Sequence, residues 1–159
     1  MKRPEQVDLG TVIVSLHVAT GAALGALTNS RLAALALGPP LHLVCDRVPH
    51  QDIASRRFEI RSGLFVLGLL GVTRGPLDPA TLGAASACTP DLEHVFPQLR
   101  PRGRKLFHGA RGWHRSGGLS TGVQLVSAGV IIGLLLKPPR ATLGDRDSAL
   151  RPASTIVRS

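Results

Sequence analysis

The sequence predicts an all-α protein, an integral membrane bundle of four to five short transmembrane helices followed by a disordered C-terminal tail. Three features of the composition favour this fold class. Hydrophobic residues make up 43% of the 159-residue chain and charged residues only 18%, against about 25% charged residues in a typical soluble domain. Aromatic residues make up 3%, although soluble cores normally use large rings to bury apolar area. The 18 glycines suit helices that pack closely in lipid.

The first apolar run covers residues 9–28 and is long enough, at about 20 residues, to span a bilayer. Basic residues precede it, so a cleaved signal peptide is the alternative. His17 lies in the middle of the run, which also lacks a clean small-residue cleavage site, and both features favour an uncleaved span. Gly21 and Gly25 share the helical face of His17 and would let another helix come close.

The apolar segments in the middle of the chain are shorter than the first one. After a tight connection at residues 29–31, residues 32–46 form a second apolar segment. Pro39 and Pro40 are expected to interrupt a helix here, because each proline removes one helical hydrogen bond. Residues 62–73 and 80–90 predict either two thin spans or one short hairpin, since a turn rich in glycine and proline separates them.

Residues 119–136 form a clear final span, and the polar tail after it predicts disorder. The domain organisation is therefore a helical membrane domain over residues 1–137 and a tail over residues 138–159. Most basic residues lie in three polar segments, which are residues 1–8, 47–61 and 91–118. The positive-inside rule then predicts a multi-pass protein of the inner (plasma) membrane with these segments at the cytoplasmic face.

The net charge of +9 has two interpretations, a nucleic-acid-binding protein or a membrane protein with its positive charge on one side. The basic residues lie between apolar runs and no nucleic-acid-binding motif is present, which disfavours nucleic acid as a partner. A transporter is disfavoured because the short chain has no inverted repeat. Cys45 and Cys88 form no CxxC motif and are interpreted as buried free thiols.

Histidines and acids recur at helical spacing in two segments. His42 and Asp46 are four residues apart and would share one face at the end of the second apolar segment. Asp91 and His94 are three residues apart on a helix that begins after a proline. Imidazole and carboxylate are usual ligands of zinc, manganese and iron. The alternatives are a His–Asp hydrogen bond that ties a helix end and acidic charge that favours a helix N-terminus.

Two further features are candidates for a site. A glycine-rich loop before the last apolar run contains His114 between Arg111 and Arg115. Arginine forks bind phosphate or carboxylate well, and the alternative is contact with anionic lipid headgroups. His17 is the second feature, because an ionisable group inside a span suggests function. Its alternative is a neutral imidazole bonded to a neighbouring helix.

These motifs carry a resemblance to a known family. The motifs are His17-x3-Gly21, His42-x3-Asp46, Pro90-Asp91-Leu92-Glu93-His94 and Trp113-His114-Arg115-Ser116. Over about residues 15–118 the chain resembles the bacterial membrane-bound predicted metal-dependent hydrolases. In that family a histidine in the first helix, a Pro-Asp-x-Asp-His motif, a His-Arg-Gly…Thr-His-Ser loop and a His-x3-Asp helix recur. The resemblance implies a metal site and a hydrolytic reaction.

The leading hypothesis is a membrane-embedded hydrolase that uses one or two divalent ions, zinc or manganese, at the cytoplasmic face. The candidate metal ligands are His17, His42, Asp46, Asp91, His94 and His114. Glu93 is the candidate general base, and Arg111 and Arg115 would bind the anionic part of an ester such as a phosphorylated lipid. The expected partners are membrane lipids and this anionic substrate. The alternative is a non-catalytic small membrane protein with a structural metal site or a basic patch that binds anionic lipid.

Overall fold

The computed structural model describes residues 14–51, 55–107 and 117–136, and these parts of the chain are mainly helical. The helices are α1 (Val14–Thr28), α2 (Arg31–Cys45), α3 (Arg56–Arg74), α4 (Pro79–Ala87), the single turn α5 (Leu92–Val95) and α6 (Thr121–Leu135). Short 3-10 turns precede and follow α5, at Thr89–Asp91, Pro97–Leu99 and Pro101–Gly103.

Polar caps determine where the main helices begin. The Ser30 hydroxyl accepts a hydrogen bond from the backbone N–H of Ala33 at the start of α2. Asp78 does the same for the N–H of Ala80 at the start of α4, with 2.8 Å between nitrogen and oxygen. Such caps satisfy backbone donors that have no partner inside the helix. The tight connection predicted at residues 29–31 is confirmed, since only two residues separate α1 from α2.

The short helix α4 lies at the centre of the fold and packs mainly against α1 and α2. Six of its nine residues are buried, and all six are small: Ala80, Thr81, Gly83, Ala84, Ser86 and Ala87. Glycines make the approach of α1 possible. A Cβ atom at Gly25 would overlap the carbonyl oxygen of Pro79, and one at Gly21 would overlap that of Gly83. The two helices therefore pack backbone against backbone and run antiparallel.

The two prolines of α2 lie inside the helix and do not end it. Pro39 has no N–H, so the carbonyl of Leu35, four residues earlier, loses its helical partner. The hydroxyl of Ser86 on α4 donates a hydrogen bond to this carbonyl at 2.7 Å. Gly38 allows the contact, since a Cβ atom there would lie 2.6 Å from the Ser86 oxygen. The carbonyl that Pro39 leaves without a helical partner is thus the point at which α4 contacts α2.

Helix α6 packs against α1 through one face, because its buried residues Gln124, Ala128 and Ile132 are spaced four apart. At the other end of α6, the guanidinium of Arg74 donates to the carbonyl of Leu135 at 2.9 Å. Arg74 also pairs with Asp78 at 3.0 Å. One arginine therefore ties the turn between α3 and α4 to the C-terminus of α6.

The prediction of an integral membrane bundle is wrong, and with it the predicted multi-pass location in the inner membrane. Within the described residues, no helix combines the length and apolarity that crossing a bilayer requires. Helices α1, α2 and α6 have 15 residues each, or about 22 Å at 1.5 Å per residue, against a hydrocarbon core of about 30 Å. Helix α3 has 19 residues, but four of its first six carry a charge.

The structure also bears on the predicted segments at residues 62–90 and on the two cysteines. The segments at residues 62–73 and 80–90 become α3, which begins earlier at Arg56, and α4, joined by a four-residue turn. Cys45 and Cys88 are free thiols, as predicted, although both are only partly buried. The expected tail at residues 138–159 lies outside the described residues.

Candidate metal centre

The packing of α1, α2 and α4 brings one end of each helix to the same place. Helix α4 runs antiparallel to α1, with Gly25 beside Pro79 and Gly21 beside Gly83. One turn further toward the start of α1, at residue 17, the neighbouring segment is the end of α4 and the residues that follow it. Helix α2 also runs antiparallel to α1 through the tight connection between them, so its C-terminus reaches the same end. The site therefore forms where α1 begins and where α2 and α4 end.

Four of the predicted ligands meet at this point. His17 comes from α1, His42 from the last turn of α2, Asp46 from the cap of α2, and Asp91 from the 3-10 turn after α4. All four are buried, and His42 is completely inaccessible. His17, His42 and Asp46 can hold a metal ion, because one ligand atom from each lies within 4.8 Å of the other two. Asp91 joins the group through His42.

The contacts converge on the Nε2 atoms of the two imidazoles. His17 Nε2 lies 3.2 Å from Asp46 Oδ1, and His42 Nε2 lies 3.4 Å from Asp46 Oδ2. His42 Nε2 also lies 3.5 Å from Asp91 Oδ1. The two rings stack with their centroids 3.9 Å apart and their planes 28° from parallel. Both imidazoles thus present the same nitrogen to the same carboxylate.

These separations are close to those between two ligands of one metal ion, and the shortest of them also allows a hydrogen bond. Charge-assisted N–H···O bonds are about 2.7–2.9 Å long, whereas the three observed distances are 3.2, 3.4 and 3.5 Å. Two ligands that each lie about 2.1 Å from a tetrahedral zinc ion are separated by about 3.4 Å. A single N–H at His42 Nε2 also cannot point well at two carboxylates at once. The spacing therefore matches the ligand set of a divalent ion.

Burial keeps His17 in the form that binds a metal. Removal from water lowers the pKa of the His17 imidazole to about 4, and the hydrogen bond that the imidazole donates to Asp46 only partly opposes this effect. The ring is consequently neutral at pH 7, with a lone pair for coordination. A divalent cation bound here would balance the charge of the two buried acidic side chains, Asp46 and Asp91.

Two cysteines lie near the site but outside the group of His17, His42 and Asp46 that can hold an ion. Cys45 adjoins Asp46, and burial raises the pKa of its thiol. Burial also raises the pKa of the Cys88 thiol, to about 12, and the nearby charge of Asp91 adds to the shift. Without a bound ion, both cysteines are therefore thiols at neutral pH.

Glu93 is buried, and its carboxylate contacts the loop at residues 106–107. Its Oε2 accepts hydrogen bonds from the backbone N–H groups of Leu106 at 2.6 Å and Phe107 at 3.2 Å. The Arg100 side chain donates to the Glu93 carbonyl at 2.8 Å. These contacts hold the segment that leads to residue 108, and its role as general base stays a prediction.

The remaining predicted site residues are not located. Arg111, His114 and Arg115 lie outside the described residues, and so does the side chain of His94. The backbone of His94 belongs to the single turn α5, three residues after Asp91 in sequence. Their assignment to substrate and metal stays a prediction.

Next to the site lies a hydrogen-bonded pair of segments that the sequence did not predict. Residues 49–51 pair with residues 117–119 through backbone hydrogen bonds, including an isolated bridge between His50 and Leu119. The amide nitrogen of Gln124 donates to the carbonyls of Gln51 at 2.9 Å and Leu119 at 3.0 Å. The signal was present, since Gln124 is the one strongly polar side chain in the apolar run at residues 119–136.

Comparison of the chain with protein-family models, with curated proteins and with solved structures finds no match in any of the three.

Proposed function

We propose that this protein is a metal-dependent hydrolase that acts on an anionic ester. The observation that carries the proposal is the buried cluster of two histidines and a carboxylate whose Nε2 and Oδ atoms lie 3.2–3.4 Å apart. Two histidines with one acidic residue also form the ligand set of known catalytic zinc sites. Zinc is the first choice of ion and manganese the second, because mixed nitrogen and oxygen ligands suit both.

Different residues would bind the metal ion and the substrate. His17, His42 and Asp46 would hold the ion, and Asp91 would fix His42 or add a fourth ligand. A bound divalent ion polarises an ester oxygen and lowers the pKa of water to about 7. Hydrolysis then breaks the bond to the alcohol oxygen, which leaves with the electron pair and takes a proton, while the water oxygen stays on the acid. Arg111 and Arg115 remain the candidates for binding the negative charge of the substrate.

The alternative is a structural metal site without catalysis. One observation favours it, the near-complete burial of His17, His42 and Asp46, because structural sites are closed whereas catalytic sites keep an open position. A cavity beside His17 supports the catalytic proposal, since it offers room for another molecule next to one of the ligands.

The proposal is tested by hydrolysis of p-nitrophenyl phosphate and bis(p-nitrophenyl) phosphate with the full chain. We expect activity from protein reloaded with zinc or manganese, loss of that activity on chelation, and its return when the ion is restored. Asp91→Asn should lower the rate by at least about tenfold, because removing a group that orients a metal ligand typically costs about 10–100-fold.

The control is buffer containing the same concentration of metal ion. A folded protein that holds one equivalent of zinc and hydrolyses neither ester faster than this buffer would contradict the hydrolase and favour the structural site.

A further inference from the structure

The stretch of chain between Glu93 and Asp145 contains no acidic residue, and a run of cations lies near its start. In the loop at residues 100–106, which we call the basic loop, arginine or lysine occupies four of the seven positions. These four residues are Arg100, Arg102, Arg104 and Lys105. Because like charges so close together repel one another, an anion bound among them would be stabilised.

A single buried residue, Glu93, holds both ends of the basic loop and is itself only 4% exposed. At one end, the side chain of Arg100 donates a hydrogen bond to the Glu93 carbonyl at 2.8 Å. At the other end, Glu93 Oε2 accepts hydrogen bonds from the backbone N–H groups of Leu106 at 2.6 Å and Phe107 at 3.2 Å. The fold therefore sets the separation of the two ends before a ligand binds, which lowers the entropic cost of binding.

The tip of the basic loop has an unusual backbone conformation. Arg102 lies in the left-handed region, with φ 52° and ψ 31°, and Gly103 follows with φ 73°. Glycine adopts a positive φ without cost, whereas the Cβ atom of an arginine makes it unfavourable. Non-glycine residues in this region cluster at functional sites. Because Arg102 is exposed, what its side chain binds explains this conformation better than packing does.

A cavity of about 660 Å³ lies against the basic loop. Three cations and two apolar residues line it, namely Arg102, Arg104, Lys105, Pro101 and Leu106. Within the part of the chain that the structure describes, no acidic side chain pairs with any of the three cations. Cavities of about 300–1,000 Å³ hold small-molecule ligands, so this one admits an anionic group together with the organic part attached to it.

The lining of this cavity suits a phosphate group. Guanidinium forks bind phosphate oxygens in pairs, and an ammonium group adds a further positive charge. A phosphate monoester carries a charge of about −1.5 to −2 at pH 7, which matches several cations better than a monoanion does. No aromatic side chain is among the lining residues, whereas proteins that bind single-stranded nucleic acid stack its bases on aromatic rings. A small phosphate ester is therefore favoured over a nucleic acid.

We propose that the basic loop binds the phosphate group of a phosphate monoester, with Arg102, Arg104 and Lys105 around the phosphate and Leu106 against the organic part. The site is separate from the metal ligands, and binding here does not depend on hydrolysis at the metal centre. Soluble phosphate esters and some lipid headgroups present the same dianion, and the experiment separates these two sources.

The test is a ligand-observed NMR titration of the full-length zinc-loaded protein with phenylphosphonate and benzenesulfonate at about pH 8. The two probes have the same shape and no ester bond to hydrolyse. The phosphonate, like a phosphate monoester, is largely a dianion at this pH, whereas the sulfonate is a monoanion. We expect the phosphonate to bind about fivefold more tightly, because a further exposed ion pair contributes up to about 1 kcal/mol, which corresponds to about fivefold.

Arg102→Gly separates binding from folding, because the substitution removes the cation and also relieves the left-handed backbone. Phosphonate affinity should fall about fivefold, while the midpoint of thermal unfolding should not fall. Arg104→Gln should weaken phosphonate binding by a similar factor. The matched control is Arg31→Gln, which removes an exposed arginine at the start of α2 and outside the cavity lining, and it should leave the affinity unchanged.

Circular dichroism establishes that the variants are folded. Unchanged phosphonate affinity in folded Arg102→Gly and Arg104→Gln would place the probe elsewhere, such as on the metal ion, and would overturn the inference. Equal affinities for the two probes would overturn it too. Binding of an oligonucleotide that the same variants weaken, without binding of the phosphonate, would overturn it in favour of a nucleic acid.

Vesicles separate the two sources of the phosphate group. Phosphatidylcholine vesicles are compared with and without phosphatidic acid, whose headgroup is a phosphate monoester. Capture of the wild-type protein only by vesicles with phosphatidic acid, reduced in Arg102→Gly, supports the inference with a lipid as the source. Phosphonate binding without capture by either vesicle supports it with a soluble ester as the source.

Discussion

Asp46→Asn is expected to weaken zinc binding by more than about a hundredfold, the upper end of the loss seen when a group that only orients a ligand is removed. Asp46 is the residue that both imidazoles share, through Oδ1 to His17 and Oδ2 to His42. The asparagine side chain has the same shape but no charge, so the change removes a negative ligand without leaving a cavity. Zinc affinity is measured by competition with a chromophoric chelator.

The matched control is Asp78→Asn, the same substitution at a partly exposed carboxylate outside the site. Asp78 caps α4, and asparagine caps helices as well as aspartate does, so the fold should persist and zinc affinity should stay at the wild-type value. Wild-type zinc affinity in both Asp46→Asn and Asp78→Asn would show that Asp46 is not a ligand. A loss of the same size in both variants would instead assign the effect to altered folding.

Gly25→Ala is expected to destabilise the protein by about 3 kcal/mol or more, the upper part of the range for overpacked interiors. The added Cβ atom would overlap the backbone carbonyl of Pro79, which cannot rotate away as a side chain does. Relief requires α1 and α4 to separate, and this contact positions the start of α1 against the end of α4. The measurement is the midpoint and slope of guanidinium unfolding followed by circular dichroism.

Gly68→Ala is the matched control, since among the described residues nothing outside the adjacent backbone of α3 lies within 4 Å of the new Cβ position. Alanine is a better helix former than glycine, so this variant should gain about 0.5–1 kcal/mol. Opposite signs for the two substitutions are the expected result. A Gly25→Ala protein as stable as the wild type would contradict the close packing of α1 on α4, and with it the route by which His17 reaches Asp46.

The local parts of the site could be predicted from the sequence. The spacing of four residues places His42 and Asp46 on one helical face, and the two side chains are 3.4 Å apart. The prediction that Gly21 and Gly25 allow a helix to approach the face of His17 is also confirmed, because α4 packs there. In both cases, the residues that share one face of a helix follow from their spacing in the sequence.

The long-range parts could not be predicted in the same way. The length of an apolar run suggests a membrane span, but it does not reveal that α2 and α4 join through Ser86 and the carbonyl of Leu35. That contact depends on which helix is available to satisfy the acceptor freed by Pro39. The cavity beside His17 was missed for the same reason, because His50 and Gln124 come together only when two segments about 70 residues apart pair.

The central claim is that His17, His42 and Asp46 form one metal centre, and anomalous diffraction at the zinc absorption edge from crystals of the zinc-loaded protein tests it most directly. The expected result is one strong peak about 2.0–2.2 Å from Nε2 of His17, Nε2 of His42 and a carboxylate oxygen of Asp46. The claim would be contradicted by loaded crystals in which these three side chains surround no anomalous peak while zinc binds elsewhere on the chain.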